Sequence, residues 1–103
     1  MPANTLNYEI DISQTASSGS WSFNTVKLRS CLLRLIVVKA ASTDTTFSFK
    51  ITDPKDNIIY ETAFPATGTL REQVAIPMRD INTLTVSSAS ANEAFTGLLS
   101  VEE

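Results

Sequence analysis

Apolar and polar residues alternate with a period of two through most of this chain, and no window sustains apolar residues at helical spacing. That pattern restricts the fold to strands buried on one face. Leu6, Tyr8, Ile10 and Ile12 share one parity while Asn7, Glu9, Asp11 and Ser13 take the other, which predicts a first half-buried strand. Gln14 to Ser20 is small and polar, with Gly19, and reads as a loop. Trp21 and Phe23 restart the alternation, and the parity flips before Val26 and Leu28, as a bulge at Asn24 or Thr25 would make it do. Phe47, Phe49 and Ile51 alternate with Thr46, Ser48, Lys50 and Thr52. Asp53-Pro54-Lys55-Asp56-Asn57 then predicts a hairpin turn, because Pro54 presets φ and Asp or Asn side chains bond the local backbone. Ile58 to Thr62 leads away from it. After a break at Pro65 to Gly68 comes a strand of Leu70, Glu72, Val74 and Ile76, interrupted by Glu72 and closed by Pro77. Ile81 to Ser88 and the set Phe95, Leu99 and Val101 complete the series.

Leu32 to Val38 is different, being apolar on both parities and rich in Ile and Val. A strand at the centre of a sandwich carries this pattern, and so does one that faces a partner subunit. With it the chain has eight candidate short strands, separated by turn signals. They predict an all-β, single-domain antiparallel β-sandwich or jelly roll over residues 1–103, with a small closed barrel as the other architecture that such alternation permits. A length of 103 residues suffices for one core and not for two. Residues 1–5, with Pro2, read as a flexible N-terminal arm. Ser and Thr, about a quarter of the chain, fall mostly on the solvent parity.

The residue inventory excludes most chemistry. There is no histidine, so Ser-His-Asp, Cys-His and His-rich zinc arrangements are unavailable to this chain. Cys31 lies among Leu32, Leu33 and Leu35 and reads as core filler, since an apolar setting raises a thiol pKa and suppresses its nucleophilicity. Gly19, Gly68 and Gly97 are too scattered to cradle a phosphate. Asp53, Asp56 and Asn57 could offer oxygens to calcium, but the spacing completes no ligand loop and Pro54 accounts for them as a turn. Glu9 with Asp11, and Glu61 with Glu72, read as solubilising surface rather than as paired acids. Tyr8, Trp21, Phe23 and Tyr60 read as core before groove, and Arg29, Arg34, Arg71 and Arg79 as solvated surface with some affinity for interfaces. No catalytic, cofactor-binding or metal residue is therefore expected, and no cofactor. A net charge of −3 and a pI near 4.8 disfavour nucleic acid. The apolar run within Cys31 to Ala41 is interrupted by Arg34 and Lys39, too short for a membrane span. Met1 to Ser13 lacks the basic-then-apolar order of a signal peptide. Synthesis and retention in the cytoplasm are the expectation.

Three strings carry a family resemblance: Phe47-Ser48-Phe49-Lys50-Ile51-Thr52-Asp53-Pro54, Ile58-Ile59-Tyr60-Glu61, and Gly68-Thr69-Leu70-Arg71-Glu72. Together with Ile76 to Ile81 and Phe95 to Glu102 they resemble small β-sandwich virion proteins of tailed bacteriophages, loosely and over the last two thirds of the chain. The strand-Asp-Pro-turn-strand unit is also similar to that of many secreted bacterial sandwich domains. The phage resemblance implies a non-enzymatic structural protein located in the virion and made in the host cytoplasm. It would be a capsid decoration, cement or head-tail accessory subunit, a homotrimer or other symmetric oligomer whose partners are itself and capsid or tail proteins. The competing reading is a carbohydrate- or peptide-binding β-sandwich module using the strand faces or the loops near Trp21 and Pro54.

Overall fold

A computed structural model describes residues 7–42, 46–63 and 68–103. The 1–5 arm, Leu6 and most of the Pro65 to Gly68 break lie outside the described residues. Eight strands are present among those described: β1 (Asn7–Ala16), β2 (Trp21–Asn24), β3 (Leu28–Ala40), β4 (Ser48–Thr52), β5 (Ile58–Ala63), β6 (Thr69–Asp80), β7 (Thr83–Ser87) and β8 (Glu93–Glu102). A single 3₁₀ turn, Ser17–Gly19, joins the first two.

The strands form two four-stranded antiparallel sheets, ordered β1-β8-β3-β6 and β2-β7-β4-β5. The pairs β1·β8, β2·β7, β3·β6 and β4·β5 are those of one long hairpin whose tip is the Asp53–Asn57 turn. Winding that ribbon until β3 meets β8 and β4 meets β7 closes both sheets, and the result is a jelly roll. Where the ribbon turns a corner, backbone bonds keep its two arms together: Ala89 N–H to Gly19 O (3.0 Å) and Asn92 N–H to Ala16 O (2.8 Å) at one corner, Thr25 N–H to Asn82 O (2.8 Å) at the next, Ala40 N–H to Gly68 O (2.8 Å) at the third. Gly19 is required at its corner. Its φ is +86°, and a Cβ there would lie 2.7 Å from Ala89 O.

The core between the sheets takes Ile12, Leu33, Ile36, Val38, Phe95, Leu99 and Val101 from one side and Trp21, Phe49, Ile51, Leu84 and Val86 from the other, with Phe47 just ahead of β4. Phe95 sits at its centre, edge-on to Phe47 (ring centroids 5.0 Å) and to Trp21 (5.9 Å).

Four sequence expectations change. Gln14 to Ser20 is not all loop: Gln14, Thr15 and Ala16 continue β1 in register with Phe95, Ala94 and Glu93, because the long β8 strand offers them partners, and only Ser17–Gly19 turns. The parity flip after Phe23 is no bulge within a strand: the chain leaves one sheet at Asn24 and enters the other at Leu28, which exposes Val26 (72%) on the corner. Pro77 does not close its strand. β6 continues to Asp80, and as the edge of its sheet it tolerates a residue with no N–H to donate. Nor are all strands short, since β3 has 13 residues and β6 has 12.

Candidate functional site

β3 resolves the doubly apolar segment. A register shift between Leu33 and Leu35 leaves Arg34 as an extra, exposed residue, and the bulge switches which parity points inward. Leu33, Ile36 and Val38 enter the core, while Leu32, Leu35 and Val37 stay half-buried on the outer face of the β1-β8-β3-β6 sheet. There they join Leu98, also half-buried, which pairs with Val37. One cross-strand row reads Asp11–Leu98–Val37–Arg71: an acid on the β1 edge, two aliphatics in the middle, a base on the β6 edge. Glu9 adds to the acidic side and Lys39 to the basic one, both exposed.

A second candidate surface lies at the end of the sandwich where the β2–β3, β4–β5 and β6–β7 connections meet. A cleft of about 800 Å³ opens there. Buried Leu28, Cys31 and Met78 and half-buried Ile59 supply its apolar wall, with exposed Lys27, Lys55 and Arg79 around them. The exposed aliphatics Val26, Ile58 (52%) and Ile81 (44%) lie on the same three connections or beside them. Asn82 is fully buried under this corner, its Nδ2 donating to Arg79 O (3.1 Å) and Asp80 O (3.2 Å), while its backbone N–H donates to Thr25 Oγ1 (3.0 Å). Its Oδ1 has no hydrogen-bond partner. Asn82 shares the inward parity of Leu84 and Val86, the one signal of its burial that the sequence carries.

Two acids of this end, Asp53 and Asp80, are occupied locally, while Asp56 is exposed on the same turn as Asp53. Asp53 Oδ1 accepts from the backbone N–H of Lys55 and of Asn57 (2.9 Å each) and Oδ2 accepts from Asn57 Nδ2 (3.1 Å). Those bonds, led by the Asn57 N–H, hold the carboxyl below its ordinary pKa. Asp53 and Asn57 thus form the tip of the hairpin, as Pro54 implied. Asp80 Oδ1 accepts the Ile81 N–H at 3.0 Å.

The remaining sequence candidates are dispersed. Trp21 is 6% exposed and Phe23 half-buried; the side chain of Tyr8 lies outside those described. Tyr60 packs against Phe49 (6.2 Å) and its hydroxyl donates to Glu72 Oε1 at 2.8 Å. Burial first, then the neighbouring Glu72 carboxylate, push the Tyr60 pKa up. This bond links the edge strands β5 and β6 across the open side of the sandwich, and it accounts for an acid on the otherwise apolar parity of β6. Glu61, on the opposite parity of β5 from Tyr60, is exposed and pairs along the ladder with Lys50. Arg29, Arg34, Arg71 and Arg79 are all exposed, Arg79 at the cleft and Arg71 on the outer sheet face. Among the described residues no three His, Cys, Asp or Glu side chains gather as a metal site would require, and no helix is long and apolar enough to cross a membrane.

No known family profile matches the chain, and no curated protein matches it. Solved structures with a similar chain path include the core of Drosophila NLP, described for pentamer formation and histone binding, at 12% identity and a TM-score of 0.46 over 89% of this chain and 96% of that one. The infectious bursal disease virus Gx strain matches at 11% identity and a TM-score of 0.44, over 97% of this chain but 32% of the viral one. The carbohydrate-binding module CBM36, solved with calcium and xylotriose, matches at 8% identity and a TM-score of 0.42, over 97% and 98%. Likeness at this level carries no function across.

Proposed function

We propose that this chain is a non-enzymatic structural subunit of a bacteriophage particle, a capsid decoration or cement protein that works through contacts with copies of itself and with capsid or tail proteins. The observation that carries the reading is the outer face of the β1-β8-β3-β6 sheet, where Leu32, Leu35, Val37 and Leu98 form a half-buried aliphatic strip. A face of this composition suits contact with protein better than with sugar or nucleic acid. The resemblance of the strand strings to tailed-phage virion proteins supports the same reading. So does the lack of histidine, together with the use of Asp53 and Asp80 in turns, which leaves the cleft without an evident acid-base pair. The test is co-sedimentation of the purified chain with phage heads or tails. Saturable binding is the expected result, and its absence at high protein concentration overturns the particle role.

The cleft favours a second reading, a binding module for a peptide or carbohydrate segment. Against a sugar platform stands the burial of Trp21, because glycan recognition by stacking needs an exposed ring. Ligand shifts in amide spectra confined to Lys27, Ile59 and Arg79 would support the module. Trp21 fluorescence would be a poor reporter of it.

A further inference from the structure

We propose that the outer face of the β1-β8-β3-β6 sheet is a homodimer contact, with a two-fold axis parallel to the strands that sets Asp11 against Arg71 of the second copy and Leu98 against its Val37. The proposal rests on the reading of the chain as a self-associating subunit and names the surface and the symmetry.

The four residues of the row Asp11–Leu98–Val37–Arg71 lie side by side on adjacent strands. Asp11 and Arg71 are exposed, three strand spacings or roughly 14 Å apart, too far to pair within one chain. Two copies of the face can meet about a two-fold axis in the plane between them, running either across the strands or along them. An axis across the strands lays β1 on β1, putting Glu9 and Asp11 against the same acids. An axis along the strands lays β1 on β6 and β8 on β3. The row then meets its own complement: acid on base at both ends, Leu98 on Val37 twice in the middle. In the next row, Glu9–Ser100–Leu35–Gln73, the acid meets an amide and Leu35 meets Ser100. Either axis keeps the strands of the two sheets nearly aligned, as packed sheets prefer, so charge selects the second.

The area is sufficient. Four strands about 4.8 Å apart and about ten residues long present roughly 500 to 600 Å², so two copies cover just over the roughly 1,000 Å² that separates a specific interface from a casual one. The opposite sheet offers no such match. Its corresponding row is Ser22–Thr85–Lys50–Glu61, hydroxyl-rich and without an aliphatic centre.

The test is sedimentation equilibrium of the full chain over a concentration series, with Asp11→Arg, Arg71→Asp and the double variant, each checked for folding by circular dichroism. The wild type should approach twice its 11.2 kDa mass. Each single reversal hits both symmetric pairs and should raise the dimer dissociation constant at least about tenfold, and the double variant should return to within about threefold of wild type. A wild type that stays monomeric throughout overturns both this interface and the self-association on which it rests. Self-association indifferent to the single reversals overturns this interface and leaves self-association standing. Loss in the singles without recovery in the double overturns the two-fold along the strands.

Discussion

The two sheets of this molecule differ little on their inner faces and strongly on their outer ones. Inside, both contribute fully buried aromatics and aliphatics, Phe95, Leu99 and Ile36 from one and Phe49, Ile51 and Leu84 from the other. Outside, the β2-β7-β4-β5 sheet is covered by Ser22, Thr83, Thr85, Ser48 and Lys50, while the β1-β8-β3-β6 sheet carries Leu32, Leu35, Val37 and Leu98, the last two in a row between Asp11 and Arg71. Stability requires only the inner faces. The aliphatic strip on one outer face alone is the feature on which the proposed self-association rests.

Equivalence of the inner faces can be broken first, with the largest effect. Phe95→Ala and Phe49→Ala should each cost about 4 kcal/mol in urea denaturation; a gap of more than about 2 kcal/mol between them would mean that the sheets are unequal in the core as well. Next comes Gly97→Ala, which should cost about 2 to 3 kcal/mol, since its Cβ would fall on the backbone of Val37, adjacent to Val37 O and 2.9 Å from Val37 C. On the other sheet, Ser48→Ala on the outer face of β4 should be nearly silent. Little loss in Gly97→Ala would show that β3 and β8 can part, and that the outer row they carry is not rigid.

Tyr60→Phe probes the edge where the sheets meet and should cost about 1 kcal/mol through the lost bond to Glu72. Its pH signature is specific. Because the folded state raises the Tyr60 pKa, the contribution is complete below the unfolded value near 10 and fades as pH climbs beyond it. Chemical denaturation at pH 9 and pH 11 should therefore show a smaller alkaline loss in Tyr60→Phe than in wild type. The smallest effect on stability separates the two outer faces best. Leu98→Lys and Thr85→Lys should both stay within about 0.5 kcal/mol of wild type, yet only Leu98→Lys should weaken self-association by light scattering. Equal behaviour of the two would erase the functional distinction between the faces.

Much of the fold was legible along the chain. Alternation located the strands, and Pro54 with Asp53 and Asn57 located the hairpin tip around which the whole ribbon is wound. The corners were not legible, because the step of the chain from one sheet to the other at Thr25 produces the same parity flip as a bulge. Nor was the extent of β6, since Pro77 ends a central strand but not an edge one, and edge or centre is a property of the sheet. The candidate surfaces followed the same division.

Local pattern thus decided that the chain would be built of half-buried strands and would lack histidine chemistry, since alternation and residue identity act over neighbouring positions. Packing alone decided that Leu35 and Val37 face out while Ile36 and Val38 face in, that Glu72 meets Tyr60 across an open edge, and that Asp11 and Arg71 end one row. These depend on register between strands far apart in sequence, which is set when the two sheets close on a common core.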